Sequence, residues 1–318
     1  MNLPIVFMYS GQGSQYYHMG QSLFAENPVF KNALEKTDLI YQEMTDDSIV
    51  KHLYNDPKNK STPFTQTQWS HPAVFMIEYA LTEVLLAKDI HPDKVLGASL
   101  GEFAAAVAAG VLSLESALFA VVKQAQTFAQ CPSGGMLAII HASELYHQES
   151  FLHEHSELAS VNFDSHFVVA GTNENLQLIQ KHLSQQSITF LLLPVSHAFH
   201  STLIDLAKAP FLERIKDLNI QPPKIEFTSC KNARSSASFT HEHFWELARQ
   251  PILFQKTIQE LEKKEPAIYI DVGPSGTLAT FVKYNLSAES QSIPVPFITP
   301  FGNDAKNLEK LEQTVQNK

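Results

Sequence analysis

Apolar and polar positions follow two periods along this chain, and their order predicts its architecture. Residues 5–9 (IVFMY) form a short unbroken apolar run, the mark of a buried strand, and lead into the glycine-punctuated segment Ser10-Gly11-Gln12-Gly13-Ser14-Gln15. Helical spacing follows over 23–40, and again over 72–86, where apolar residues occupy most positions and imply burial on all sides. A strand is predicted at 94–97, then a tight turn, a helix over 101–109 and another over 116–128. Strands alternating with helices in this way argue for a parallel sheet covered on both faces.

The pattern changes at Cys131-Pro132-Ser133-Gly134-Gly135. Strands at 136–140, 158–162, 167–170 and 188–193, with helical stretches at 142–151 and 173–185, give the order strand–helix–strand–strand–helix–strand. That order is the one expected of a ferredoxin-like unit, placed at 131–196 and inserted in the larger domain. The chain then resumes with a helix over 203–218, a strand at 224–228, a helical stretch over 241–263 interrupted at Pro251, and a strand at 267–271 running into Gly273-Pro274-Ser275-Gly276. The polar last twenty residues are expected to form a terminal helix or a frayed tail. The predicted fold is α/β: an α/β-hydrolase-like large domain with a parallel sheet, discontinuous over 1–130 and 197–318, and the inserted subdomain.

Composition narrows the function classes. A chain of 318 residues with 44% hydrophobic and 18% charged residues has the make-up of a globular protein with a large core. A net charge of -10 with no arginine-rich tract argues against nucleic acid, while leaving an acidic carrier protein free to dock on a local basic patch. Cys131 and Cys230 are far apart and outside any C-x-x-C, so a reducing cytoplasm fits better than a disulfide framework. The first residues lack a positive n-region and read as a strand rather than a signal peptide, and no apolar run reaches membrane-spanning length.

The candidate chemistry centres on Gly97-Ala98-Ser99-Leu100-Gly101, a G-x-S-x-G between a strand and a helix. Small residues let the backbone turn sharply there and hold Ser99 Oγ clear of it, beside a helix N-terminus that favours a developing anion. A nucleophilic serine needs a base. His197 and His200, at the junction where the subdomain returns to the large domain, are the candidates, and their three-residue spacing alone does not choose between them. No carboxylate is identifiable as a third member. The Gly11–Gly13 loop lacks the dinucleotide spacing; it is either a plain turn or a donor of one backbone N–H to an oxyanion hole, the other coming from Leu100. His197 with His200, and His241 with His243, have the spacing of metal-ligand pairs, and without a third oriented ligand no metal is expected. Two rival readings are a lipase-type hydrolase, which would need a histidine nearer the C-terminus than His243, and an inactive scaffold, which would not be expected to keep both Ser99 and His200.

Together GQGSQ (11–15), GASLGE (97–102), AAVAAG (105–110), VSHAFHS (195–201) and DVGPSG (271–276) resemble the malonyl-CoA:acyl-carrier-protein transacylase family, which includes the acyltransferase domains of polyketide synthases. The resemblance covers nearly the whole chain. It implies Ser99 as the acyl-accepting nucleophile and His200 as its base. Gln12 and Leu100 would donate the oxyanion-hole N–H groups, and His197 and Phe199 of the HAFH segment would belong to the acyl pocket, with Phe199 narrowing it near the α-carbon. It further implies a partner, an acyl carrier protein or a polyketide synthase carrier domain, with acyl-CoA as a further donor, and no dissociable cofactor, because the phosphopantetheine arm belongs to the carrier.

Three positions depart from the family pattern. Members that handle malonyl groups carry an arginine where this chain has Gln124, so a malonyl carboxylate would lack its bidentate counter-charge. Losing such a buried partner costs about 3–5 kcal/mol, whereas a neutral acyl group loses nothing. Lys123 is adjacent, but on a helix it points about 100° away. Ala98 replaces a histidine beside the nucleophile and widens the pocket wall. Leu247 stands where Asn or Gln is usual, with its main-chain carbonyl expected to orient the catalytic histidine. A pocket phenylalanine without the arginine resembles the discrete acyl hydrolases of trans-acyltransferase polyketide pathways. The expected function is therefore hydrolysis of acyl thioesters on carrier proteins, with malonyl or acyl transfer as the alternative.

Overall fold

Among the described residues ten strands form two sheets: β1 (Ile5–Tyr9), β2 (Lys94–Gly97), β3 (Gly135–Ile139), β4 (Glu157–Phe163), β5 (His166–Gly171), β6 (Phe190–Leu192), β7 (Glu226–Ser229), β8 (Arg234–Ser235), β9 (Ile268–Asp271) and β10 (Ile293–Pro296). The computed structural model describes residues 3–316, so residues 1–2 and 317–318 of the expected large domain lie outside the described residues.

The larger sheet has the order β10-β9-β1-β2-β7-β8, parallel throughout except for the antiparallel β8. The central strand β1 explains why residues 5–9 read as a continuous apolar run. Ile5, Phe7 and Tyr9 enter one core and Val6 and Met8 the other, so both faces are covered. The helix Thr67–Ala87 is buried along most of its length despite Pro72, as its all-round apolar pattern requires.

The smaller sheet is antiparallel, with the order β4-β5-β3-β6, and the helix Asn173–Gln185 packs on one face. This is the ferredoxin-like arrangement expected from the element order. Strand alternation again divides the labour: Leu137, Ile139, Phe167 and Val169 pack under the subdomain's own helices, while Met136, Ala138, Val168 and Ala170 join the core of the large domain. One face of the small sheet therefore walls the cleft between the two units.

Several elements differ from their expected limits for local reasons. The 23–40 stretch is two helices, Gln21–Glu26 and Pro28–Thr45, because the Asn27 side chain caps Val29 and Phe30 N–H and Pro28 occupies the first helical turn. The 203–218 stretch is a 3-10 turn, Thr202–Ala207, leading into the helix Lys208–Ile215. The break at Pro251 has a tertiary cause as well: Ile252 pairs with β4, its N–H donating to Ala159 O at 2.9 Å and its carbonyl accepting from Val161 N–H at 3.0 Å. That pairing ties the large domain to the edge of the small sheet. The helix Thr277–Asn285 and strand β10, which carries two prolines at the sheet edge, have no counterpart in the apolar pattern. The C-terminal stretch is the helix Asp304–Gln316, anchored by Leu308 and Leu311.

Candidate active site

β2 ends at Gly97, and the chain turns through Ser99, whose φ is 55°, into the helix Gly101–Ala108. Close approach explains the two flanking glycines. A Cβ on Gly97 would sit 2.6 Å from Glu102 Cα, and one on Gly101 would sit 2.2 Å from Tyr9 O. The helix packs too closely on the ends of β2 and β1 for a side chain at either position, and Ser99 is thrust out at the apex.

Ser99 Oγ lies 2.9 Å from His200 Nε2. The geometry thus resolves the choice that spacing left open, bringing His200 and not His197 to the serine. His200 also has a left-handed backbone, with φ 63°, and its N–H donates to Ala248 O at 2.8 Å. Its Nδ1 donates to Gln250 O at 2.6 Å, which leaves Nε2 as the acceptor for the serine hydroxyl. Burial pushes the imidazole down to about 4, outweighing the Gln250 carbonyl that favours the charged form, and nearby Arg249 adds to the depression. At neutral pH the ring is uncharged, as a base must be.

The orienting carbonyl therefore belongs to Gln250, not to Leu247. Leu247 lies inside the helix His241–Arg249 with its side chain in the core, whereas Gln250 is the extended residue that ends the helix, free to turn its carbonyl outward. His197 is also displaced from its expected place. It stands behind the pocket wall, its Nδ1 3.0 Å from Ser196 Oγ and 3.3 Å from Thr67 Oγ1.

The Gly11–Gly13 loop packs directly on the serine turn: a Cβ on Gly11 would fall 3.1 Å from Ser99 Cβ and 3.4 Å from Leu100 N. Among the described residues neither Gln12 N–H nor Leu100 N–H has an acceptor, so both donors beside Ser99 are free for a ligand. The loop is braced from beneath. Ser10 N–H donates to Glu78 Oε1 at 2.6 Å, Ser14 Oγ donates to Gly11 O at 2.7 Å, and Gln15 Nε2 donates to Pro194 O at 2.8 Å.

A cavity of about 290 Å³ opens from the serine between the two units. Ala98, Leu100, Gln124 and Phe199 line it, and Met136, Ala138 and Val168 supply the wall from the small sheet. Gln124 is buried and its Nε2 donates to Phe244 O at 3.2 Å. Among the described residues no lysine or arginine lines the cavity. Its remaining histidines are His71, which burial and the neighbouring His197 push down to about 3, and His166, which burial also pushes down.

Sequence reasoning missed several groups. Gln250 and Ala248 act through their backbones and carry no signal in their side chains. Glu102 and His243 meet in a buried hydrogen bond at 2.7 Å, and Ser229 Oγ donates to the same carboxyl group at 2.6 Å; the glutamate's place straight after the serine turn is the available clue. Among the described residues no three His, Cys, Asp or Glu side chains converge as metal ligands, and no helix is long and apolar enough to cross a membrane.

The profile of the family described as "Acyl transferase domain" matches residues 6–317. The chain is 42% identical over 316 residues to the polyketide biosynthesis acyltransferase homolog BaeD of Bacillus velezensis, covering 99% of this chain and 98% of that protein. It is 43% identical over 313 residues to the polyketide biosynthesis acyltransferase homolog PksD of Bacillus subtilis, covering 98% and 97%. Among solved structures it is similar to a loading acyltransferase from the avermectin modular polyketide synthase, with a TM-score of 0.89 over 98% of this chain and 99% of that one; at 21% identity this likeness concerns the fold.

Proposed function

The chain belongs to the acyl transferase domain family, and from that premise we propose that it hydrolyses neutral acyl thioesters carried by an acyl carrier protein or a polyketide synthase carrier domain. The observation that carries this reading is that, among the described residues, no lysine or arginine lines the cavity, with neutral Gln124 at the position where the malonyl-handling members have arginine. A malonyl carboxylate would be buried there without a counter-ion, at a cost that a neutral acyl chain does not meet.

The reaction has two halves sharing one acyl-serine. His200 Nε2 takes the proton of Ser99 Oγ as the oxygen attacks the thioester carbonyl. The N–H groups of Gln12 and Leu100 donate to the oxyanion. Collapse breaks the C–S bond, and the imidazolium returns its proton to the departing thiolate of the phosphopantetheine arm. Water then loses a proton to His200 and attacks the acyl-serine, and the released Ser99 oxygen recovers that proton. The arm travels with the partner, so the enzyme needs no dissociable cofactor of its own, and the reducing cytoplasm is the proposed setting.

Transfer to a second carrier thiol would use the same first half, and the two readings separate at the acceptor. The test is a mass-spectrometric time course with carrier protein bearing acetyl, butyryl or malonyl. Release of acetate and butyrate with little malonyl uptake is the expected result. Efficient malonyl loading of Ser99 and its passage to a second carrier would replace hydrolysis with transfer, and no adduct with any donor would leave only a scaffold.

A further inference from the structure

In the largely apolar wall of the acyl cavity, beside the serine loop, two polar atoms lack a partner among the described residues: Gln12 Oε1, which is buried, and His71 Nε2. The His71 ring is buried and held from three sides: Gln12 Nε2 donates to Nδ1, Phe128 approaches with its centroid at 5.9 Å, and Phe199 at 5.4 Å. Among the described residues nothing partners Nε2, and His71 lines the cavity. With Nδ1 accepting from the glutamine, the proton of the neutral imidazole sits on Nε2. His71 lines the cavity, so the acceptor for that N–H comes from whatever fills it.

We propose that His71 is a specificity-determining residue that donates a hydrogen bond to a neutral oxygen, hydroxyl or keto, near the third carbon of the acyl chain. The position follows from the way the ring is tethered. Gln12 supplies both the backbone N–H expected to hold the thioester oxygen and the side chain that holds His71, so one glutamine side chain separates the two donors. Nε2 then faces the chain a few atoms beyond the carbonyl rather than a distant tail. The chemistry follows from charge: burial keeps the ring neutral, so it offers an N–H and no cation. A site built to donate one hydrogen bond rejects a chain that leaves the donor unpaired. The substrates so defined are 3-hydroxy- and 3-oxoacyl groups, rather than plain alkanoyl or carboxylated ones.

This inference rests on Ser99 as the acyl acceptor, and its test reads the first half-reaction alone. Single-turnover acylation of Ser99 is followed by intact mass, using carrier protein loaded with butyryl, 3-hydroxybutyryl, 3-oxobutyryl or malonyl. The wild type is expected to acylate from the two oxygenated neutral chains roughly five- to tenfold faster than from butyryl, the scale of one neutral hydrogen bond. In His71→Leu that ratio falls to about one, and in His71→Gln, which keeps a donor, part of it survives. Equal rates for butyryl and the oxygenated chains in the wild type, an unchanged ratio in His71→Leu, or malonyl outpacing both oxygenated chains would overturn the proposal. The adduct forms before any acceptor is chosen. Hydrolysis can therefore fail, with the acyl group passing to a second thiol, while the ratio still stands, and the reverse outcome is equally visible.

Discussion

Ser99 and His200 both hold left-handed backbone conformations, with φ 55° and 63°, and their side chains meet at 2.9 Å. Each is a non-glycine residue where a Cβ costs about 1–2 kcal/mol, so the pairing is held against strain by its surroundings. At Ser99 the surroundings are the close strand–helix contact enforced by Gly97 and Gly101; at His200 they are the carbonyls of Ala248 and Gln250.

This strain makes two substitutions at one position informative. Ser99→Ala removes the nucleophile and keeps the Cβ, whereas Ser99→Gly removes both. Neither variant should gain acyl mass from an acyl carrier protein. In denaturant melts Ser99→Gly should be more stable than Ser99→Ala by about 1 kcal/mol, the reverse of the usual cost of glycine. A less stable glycine variant would mean that the turn is relaxed.

Gln124→Arg tests the missing counter-charge. The new guanidinium would point into the cavity that Gln124 lines, giving up the bond to Phe244 O. Malonyl acylation of Ser99 should rise at least tenfold and butyryl acylation should fall, because a buried unpaired cation is left whenever the acyl chain is neutral. Unchanged malonyl acylation in a folded variant would separate the loss of arginine from donor choice.

The large sheet was legible because the two-sided burial of β1 and the strand–helix alternation leave a strong apolar record. The ferredoxin-like unit was legible from element order alone. What the sequence did not show is mostly backbone work. Gln250, Ala248 and Ile252 act through carbonyls or N–H groups placed by a helix end and a sheet edge, and any residue can supply these. His71 was hidden for another reason: its apolar helix predicts core, and only the packed structure shows its ring reaching the cavity beside Gln12.

The pH dependence follows from His200. Its pKa is pushed from 6.5 down to about 4 by burial, so the neutral base should persist well into acid. Single-turnover acylation should hold level from about pH 8 to about pH 5 and fall through a midpoint near 4. The same depression acts on stability. Between 6.5 and about 4 the unfolded chain binds the proton that the folded ring refuses, so this stabilisation is present above 6.5 and is lost as pH falls through that window. His71, pushed down to about 3, adds in the same direction. Asp271, raised by burial to about 6, acts oppositely: its contribution is full below the ordinary carboxylate range and disappears as pH rises through 6. An acylation midpoint near 6.5 would show that solvent reaches the His200 ring.

Glu102 links the supports of the two reacting residues. It lies in the first turn of the helix that follows Ser99, and its carboxylate bonds His243 Nε2 at 2.7 Å and Ser229 Oγ at 2.6 Å. His243 begins the buried side of the helix His241–Arg249, which ends at the carbonyls that hold His200. One buried pair thus clamps the serine turn to the helix that sets the histidine. Glu102→Gln keeps the shape but leaves one oxygen for the two partners His243 and Ser229, and it should destabilise the fold by about 1–3 kcal/mol, since a buried polar group is left without its partner. If the clamp sets catalytic geometry, acylation by the folded variant should slow by at least tenfold while its midpoint near pH 4 stays in place, because the ring's own burial is untouched. A variant that is destabilised yet acylates at the wild-type rate would confine Glu102 to holding the core together.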